Sequence, residues 1–318
     1  MLHDAIDDER AWKRETVSPA DWIVPLPQAC LTELDEIVRF LRTYPQPVQH
    51  LTPEAFVPTC ASMMAQVREK IQQVGLAVVD RVPVERYSVT ENRAIGWLLA
   101  ALMGQVVAQK WDSTLQYNVK EPGKSSGYGV RPAVTKLEQH FHTDGVWLGL
   151  PPTSVGLFCL HPAQHGGMGR LVNLLTVHNE LLRRHSALLA RLYGPFWWNR
   201  QTAHALDNAC ASRHPVYQYD GHALIARYDV DRVYKGYGLA GEALDDTGAA
   251  ALAAMRTIIN APENWTEWRL EQGQLQYINN CQFAHAHPAS VDVPGVSTPH
   301  HILRLWNRYG AVSAHMVL

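Results

Sequence analysis

The sequence has few charged residues, and the two signs nearly balance. Asp, Glu, Lys and Arg make up 18% of the 318 residues, and 28 basic and 30 acidic side chains leave a formal net charge of −2. A protein that binds the phosphate backbone of a nucleic acid needs clustered basic side chains to neutralise it. We therefore expect no nucleic-acid partner and predict a small-molecule substrate.

Long apolar runs are also missing. No uninterrupted apolar stretch reaches the roughly 18 residues that a membrane span requires. The first residues, MLHDAIDDERAWKRE, are charged where a signal peptide has an apolar core. These absences predict a protein without a membrane segment, and we expect it in the cytoplasm.

Paired cysteines are absent as well. The chain has five cysteines far apart in sequence, with no CxxC pair: Cys30, Cys60, Cys159, Cys210 and Cys281. An odd count without close spacing favours neither a disulfide framework nor a zinc knuckle. We expect reduced and mostly buried thiols.

The hydrophobic pattern predicts one α+β domain over residues 1–318, with a mainly β core and a helical N-terminal extension over residues 1–50. Apolar residues at intervals of three and four predict helices, and short apolar runs predict strands. The helical stretches are 30–44, 60–74, 88–104, 174–194 and 242–261. The strand-like stretches are 76–82, 222–234 and the tail from 266 onward, and EPGKSSGYG (121–129) predicts a loop.

The segment HFHTDGVW (140–147) contains a candidate metal-binding pair. His142 and Asp144 are two positions apart, so on an extended segment both side chains leave the same face. A strand pattern near the end of the chain closes on His285 and His287. Two histidines and one carboxylate with three open coordination positions form the facial triad of non-heme Fe(II) oxygenases. Zinc more often has a closed ligand set, frequently with thiolates.

Two alternative ligands remain open at this point. His140 forms a His-x-His pair with His142, and His287 leaves the same face as His285. Three other histidines have no carboxylate at a matching spacing, which favours surface or capping roles: His161, His165 and His178.

Several separate blocks of the chain resemble the taurine dioxygenase-like family of Fe(II)/2-oxoglutarate oxygenases. The blocks are HFHTDG, CLHPAQHGGMGRLVN, VHNELLRRHSALLARLY, ARYDVDRVY, YINNCQFAHAH and HHILRLW, between residues 20 and 306. The resemblance implies a double-stranded β-helix (jelly-roll) core flanked by helices, with His142, Asp144 and His285 as the iron ligands. It also implies 2-oxoglutarate and O2 as cosubstrates, which yield succinate and CO2 while the substrate is hydroxylated or desaturated.

Two positions depart from the family pattern. The family holds the distal carboxylate of 2-oxoglutarate with a Thr or Ser just after a Gly-Gly pair and with the first arginine of an Arg-x-Leu-x-Arg strand. Those positions are Gly169 and His300 here. Burying an unpaired carboxylate costs several kcal/mol, so other groups must bind it or 2-oxoglutarate is not the ligand. The candidates are His300 itself, Arg304 at the family's second arginine position, and Arg170 beside Gly169.

Three hypotheses follow. The first is a 2-oxoglutarate-dependent oxygenase with a rebuilt carboxylate pocket. The second is an iron enzyme of the same fold that does not use 2-oxoglutarate, and the third is a metal-retaining binding protein without turnover. Arg304 indicates a small acidic or amino-acid-like substrate. An aromatic set either lines an apolar pocket or fills the core: Trp147, Phe196, Trp197, Trp198 and Tyr237. The sequence leaves open whether the chain forms a homo-oligomer.

Overall fold

The computed structural model describes residues 1–120, 139–200, 209–287 and 300–309. Helices α1–α9 are Pro19–Trp22, Gln28–Thr43, Pro53–Phe56, Pro58–Gln73, Val89–Met103, Leu174–Arg184, Ser186–Leu192, Val230–Ala240 and Asp246–Asn260. Strands β1–β15 are Ile23–Pro25, Leu76–Asp80, Gln105–Val106, Gln116–Lys120, Gln139–His142, Ser154–His161, Met168–Asn173, Pro195–Asn199, Ala211–Pro215, Tyr217–Tyr219, Leu224–Ala226, Trp265–Arg269, Leu275–Asn279, Phe283–His287 and His301–Arg308. The loop predicted for 121–129 lies outside the described residues.

Two sheets form the core. The larger has the order β1-β2-β13-β6-β15-β3, with β4 also paired to β15, and the smaller has the order β12-β7-β14-β5. Strands that are neighbours in a sheet are distant in sequence, as in the antiparallel pairs β13–β6 and β14–β7. Two two-stranded sheets, β8–β9 and β10–β11, lie outside this pair. The arrangement confirms the predicted α+β fold with a double-stranded β-helix core.

Strand alternation divides the hydrophobic core into two layers. Successive side chains of a strand point to opposite faces of the sheet. One face of the larger sheet packs with the smaller sheet, through residues such as Leu157, Ile278 and Trp306. The other face packs against helices α2, α4 and α5, through residues such as Phe158, Tyr277 and Leu303. The functional residues described below lie on the face shared by the two sheets.

Helix α5 follows its sequence signals. Ser88 Oγ accepts a hydrogen bond from the Glu91 backbone N–H at 3.3 Å, and the Glu91 carboxylate accepts one from the Ser88 backbone N–H at 2.7 Å. This reciprocal capping box satisfies two N–H groups that have no partner inside the helix. The helix ends before Gly104, whose φ of 148° suits a glycine. The predicted helix over 88–104 is therefore observed at Val89–Met103.

The strand predicted for residues 222–234 is wrong beyond Ala226. The Asp229 side chain accepts a hydrogen bond from the backbone N–H of Arg232 at 3.0 Å and caps helix α8, which begins at Val230. The sequence pattern does not reveal where this helix begins, because Asp229 stands inside a stretch that otherwise alternates like a strand. Helix α8 borders the candidate site described below.

The N-terminal residues contact both the smaller sheet and helix α6. Helices α1 and α2 lie within residues 1–50, but the first residues contain only a 3-10 turn at Arg14–Thr16. The Trp12 ring stacks on Phe283 with 5.5 Å between centroids, and the Thr176 hydroxyl donates to the Trp12 carbonyl. Among the described helices, none is long and apolar enough to cross a membrane.

The prediction that all cysteines are reduced is wrong for two of them. Cys30 in α2 and Cys60 in α4 form a disulfide, and both are fully buried. The Glu33 carboxylate accepts hydrogen bonds from the backbone N–H groups of Thr59 and Cys60 at 2.7 and 2.9 Å. Spacing could not reveal the pair, because the cysteines are 30 residues apart and meet only when the two helices pack.

Removing this disulfide should destabilise the protein. Closing a loop of this length restricts the unfolded chain by about 3–4 kcal/mol in the loop-entropy model, so we expect the Cys30→Ala/Cys60→Ala variant to lose roughly that free energy of unfolding in urea. The exposed Cys210 is the matched control, since Cys210→Ala should leave stability within about 0.5 kcal/mol. A non-reducing peptide map in which Cys30 and Cys60 both react with a thiol reagent would contradict the pairing.

Candidate metal centre

The three predicted metal ligands meet where strand β5 pairs with strand β14. His142 and His285 are direct partners in this antiparallel pair, and their ring centroids are 4.4 Å apart. The turn after β5 returns Asp144 to the same face. One ligand atom from each of the three residues lies within 4.8 Å of the other two. Asp144 and His285 are buried, and His142 is half-buried.

A second cluster, formed by Cys30, Glu33 and Cys60, has metal-ligand residue types at similar distances. Its two sulfur atoms are bonded to each other in the disulfide, so they are not available as thiolate ligands. The part of the chain that the structure describes therefore contains one cluster whose donors are free to bind a metal ion.

The turn that carries Asp144 is fixed by Asn280. The Asn280 side-chain amide donates to the carbonyl oxygens of Asp144 and Pro152 at 2.9 and 3.0 Å, and its oxygen accepts from the Asp144 backbone N–H at 2.8 Å. On the other side, Thr143 exchanges two hydrogen bonds with the Tyr228 backbone. Sequence reasoning missed Asn280, although it stands in the YINNCQF block. Predicting the role of Asn280 requires knowing that β13 ends beside this turn.

The Asp144 carboxylate is buried against a permanent positive charge. Arg304 Nη1 lies 3.0 and 3.2 Å from its two oxygens, and the Trp306 indole N–H donates to Oδ2 at 3.0 Å. Burial alone would raise the pKa of Asp144, but the Arg304 charge, with smaller effects of His285, His142 and the Trp306 hydrogen bond, holds that pKa well below its usual range. The carboxylate is therefore ionised at neutral pH.

The two histidines suit a metal ion. His142 Nδ1 lies 2.8 Å from the His140 carbonyl oxygen, so this nitrogen carries the proton and Nε2 keeps a free lone pair. Burial, followed by the charge of His142, lowers the pKa of His285 well below its usual value. His285 Nδ1 is also buried without a hydrogen-bond partner among the described residues. Neutral imidazoles and an ionised carboxylate are the forms that bind metal, so the residues fit Fe(II).

A cavity of about 190 Å³ opens onto these ligands. The candidate ligands His142 and Asp144, together with Arg304 and Trp306, form part of its wall. The start of α8 and the end of α9 border its outer part, with Asp231, Lys235, Arg256 and Asn260 exposed to solvent. Of the predicted aromatic set, Trp147 lines the cavity, whereas Phe196 and Trp198 are fully buried in the core.

The candidate cosubstrate residues occupy different places. Arg304 lies beside Asp144, as described above, and His300 is half-buried just before β15. Arg170 has its side chain about one third exposed, pairs with Glu267 at 3.4 Å and stacks over Trp265 at 4.6 Å. Strand alternation puts Arg170 on the face of β7 opposite Gly169 and Leu171. The structure therefore brings Arg304 to the triad and does not bring Arg170 there.

Two aromatic rings lie beside Gly169, the position where the family pattern has the hydroxyl of a Thr or Ser. A Cβ at this position would lie 3.5 Å from Trp268 Cζ2 and 3.8 Å from His287 Cε1. The Trp268 indole N–H donates to the Gln276 side chain at 3.1 Å. Burial, followed by the charges of His142 and His300, lowers the pKa of His287 to about 4, so this ring is neutral at neutral pH. Sequence reasoning noted the missing hydroxyl but not the tryptophan packed against its place.

Loss of one metal ligand should remove metal binding. We expect His285→Ala and Asp144→Asn to weaken Fe(II) or Co(II) binding by more than about 100-fold, because even outer partners of metal ligands are worth about 10–100-fold. Anaerobic titration followed by metal analysis measures this affinity. The exposed His165 provides the matched control, and His165→Ala should bind metal like the unaltered chain. Equal binding by His285→Ala would remove this residue from the ligand set.

Two characterised sequences are similar to this chain over most of its length. FR-33289 synthase of Streptomyces rubellomurinus is 25% identical over 315 residues, which covers 96% of this chain and 91% of that protein. Taurine hydroxylase-like protein SAT17 of Stachybotrys chartarum is 23% identical over 322 residues, covering 96% of this chain and 80% of that protein.

Solved structures share the fold. Asparagine oxygenase in complex with Fe(II), 2S,3S-3-hydroxyasparagine and succinate superposes with a TM-score of 0.71 at 19% identity, covering 90% of this chain and 93% of that one. The non-heme iron oxygenase OrfP in complex with Fe and alpha-ketoglutaric acid superposes with a TM-score of 0.65 at 13% identity, with the same coverage. The family model for taurine catabolism dioxygenase TauD, TfdA family, matches residues 43–306. With that match over most of its length, and with the predicted ligand set assembled on a double-stranded β-helix, the chain belongs to the TauD/TfdA family of dioxygenases.

Proposed function

We propose that this chain is an Fe(II)- and 2-oxoglutarate-dependent oxygenase that hydroxylates or desaturates a small acidic or amino-acid-like molecule. The observation that carries the proposal is the convergence of His142, Asp144 and His285, two of which, His142 and Asp144, line an open cavity. Ligands gathered on one side of a metal ion leave the opposite positions for a cosubstrate and O2. Iron bound there, with 2-oxoglutarate and O2, would supply the oxidation of the substrate.

The chain's own residues contribute geometry and charge. The two imidazoles would donate nitrogen lone pairs to a divalent ion, the ionised carboxylate would partly neutralise its charge, and the guanidinium of Arg304 keeps the carboxylate from taking up a proton. The Asn280 hydrogen bonds hold the backbone of the Asp144 turn in place. Trp147 and Trp306 exclude water from one side of the cavity. Such preorganisation is what the protein adds to chemistry that the metal and cosubstrate carry out.

An acidic group on the substrate is supported by the charges around the cavity. Lys235 and Arg256 lie at its mouth and are exposed, whereas Arg304 in its wall is already paired with Asp144. Arg232 is already engaged, because it pairs with Asp229 at 2.8 Å and stacks over Trp147. Asp231 on the same rim would suit an ammonium group, as in an amino acid. The solved relatives include complexes with hydroxyasparagine and hydroxyarginine, which agrees with this substrate class.

The residues at the cosubstrate end of the site differ from the family pattern at Gly169 and His300. We assign the distal carboxylate of 2-oxoglutarate to His300, which comes just before β15. We do not assign Arg170, since its ion pair with Glu267 lies on the opposite face of β7. The packing of Trp268 against Gly169 favours a second candidate function: an iron enzyme of this family that takes its electrons without 2-oxoglutarate.

Spectroscopy without oxygen separates these two functions. Adding 2-oxoglutarate to the Fe(II)-loaded protein should produce the weak visible charge-transfer band of the chelate, and His300→Ala should need about tenfold more 2-oxoglutarate, as expected for losing a hydrogen bond to a charged group. His165→Ala should titrate like the unaltered chain. If iron is bound and no band forms, the 2-oxoglutarate proposal fails and the second candidate gains support.

A further inference from the structure

Asp144 offers its two oxygens unequally to a metal ion. Oδ2 receives hydrogen bonds from both Arg304 Nη1 and the Trp306 indole, whereas Oδ1 receives one, from Arg304 alone. Oδ1 therefore keeps the more accessible lone pair. This arrangement favours coordination through a single oxygen, with the second oxygen reserved for protein donors.

The orientation of Arg304 is itself determined by one buried amide. Gln109 Oε1 accepts from Arg304 Nε at 2.9 Å, and Gln109 Nε2 donates to the carbonyl oxygens of Arg304 and Leu115 at 2.8 and 3.0 Å. The Gln109 side chain is 2% exposed, and its own backbone N–H donates to Thr114. Because Nε2 lies between two carbonyl oxygens, the amide cannot flip without losing both bonds, and Oε1 must face the guanidinium.

We infer that Gln109 is a positioning residue for the metal: it fixes Arg304, and Arg304 in turn holds Asp144 so that one oxygen faces the ion. Gln109 does not line the cavity, so it acts through Arg304 rather than on the substrate. Without this amide, Arg304 Nε loses its hydrogen-bond partner. The guanidinium can then rotate and change which of its nitrogens donate to the Asp144 carboxylate. The inference rests on the proposed function, since it presumes that the triad binds iron.

Gln109→Met tests this role, because methionine keeps the length of the side chain and removes its hydrogen bonds. We expect Co(II) or Fe(II) affinity to fall by about 10–100-fold, the range for residues that orient metal ligands. The visible absorption of the Co(II) form should also change in intensity. A carboxylate that Arg304 no longer holds is able to bind the metal through both oxygens, and this raises the coordination number on which the absorption depends.

Asn92 provides the matched control. It is also a buried amide, 3% exposed, and it donates to two carbonyl oxygens, those of Val84 and Tyr87. Asn92→Leu should lower thermal stability while leaving metal affinity within about twofold of the unaltered chain. If Gln109→Met fails to fold, Gln109→Asn replaces it, because the shorter amide cannot span Arg304 and Leu115 and should also weaken metal binding.

The outcomes are distinct. Unaltered affinity and an unaltered Co(II) spectrum in a folded Gln109 variant would overturn the positioning role while the proposed function stands. An equal loss of affinity in Asn92→Leu would also overturn it, because the effect would then follow from stability alone. Absence of metal binding by the unaltered chain would remove the proposed function and this inference together.

Discussion

A carboxylate held away from water between two sheets needs a lasting counter-charge, and Arg304 provides it for Asp144. Taking an ion out of water costs several kcal/mol unless partners of good geometry replace the lost hydration. Here both carboxylate oxygens are bonded, and the arginine is in turn bonded to Gln109. The pair also joins the two sheets, since Arg304 lies on β15 of the larger sheet and Asp144 follows β5 of the smaller one. Charge, sheet packing and the candidate metal site thus depend on the same contact.

Strands and helices contribute different residues around the contact between Arg304 and Asp144. Strands supply the residues that must not move: the histidines face each other across β5 and β14, and Arg304 and Trp306 are two positions apart on β15. Helices α8 and α9 supply the charged rim of the cavity. These rim residues are exposed to solvent, whereas the candidate ligands and their partners are held between the sheets.

Part of the candidate metal site was predictable, because strand alternation is a short-range pattern. The spacing of His142 and Asp144 indicated a candidate pair, and the family resemblance then selected His285 as the third candidate. Alternation along β15 put Arg304 and Trp306 on one face, where both contact Asp144. The residues that escaped prediction act across long sequence distances. Asn280 and Gln109 have no local signature, since their hydrogen bonds form only after distant segments meet. The Cys30–Cys60 pair escaped for the same reason, and α8 was missed because a capping aspartate interrupts a strand-like run.

The most direct test of the buried ion pair and its triad is an anaerobic crystal structure of the Fe(II)-loaded protein. The account predicts iron bonded to His142, His285 and one oxygen of Asp144, with Arg304 and Trp306 still donating to the other oxygen and the cavity side of the metal free of protein ligands. Iron bound elsewhere, or bound at this site only after Arg304 has left the carboxylate, would contradict it.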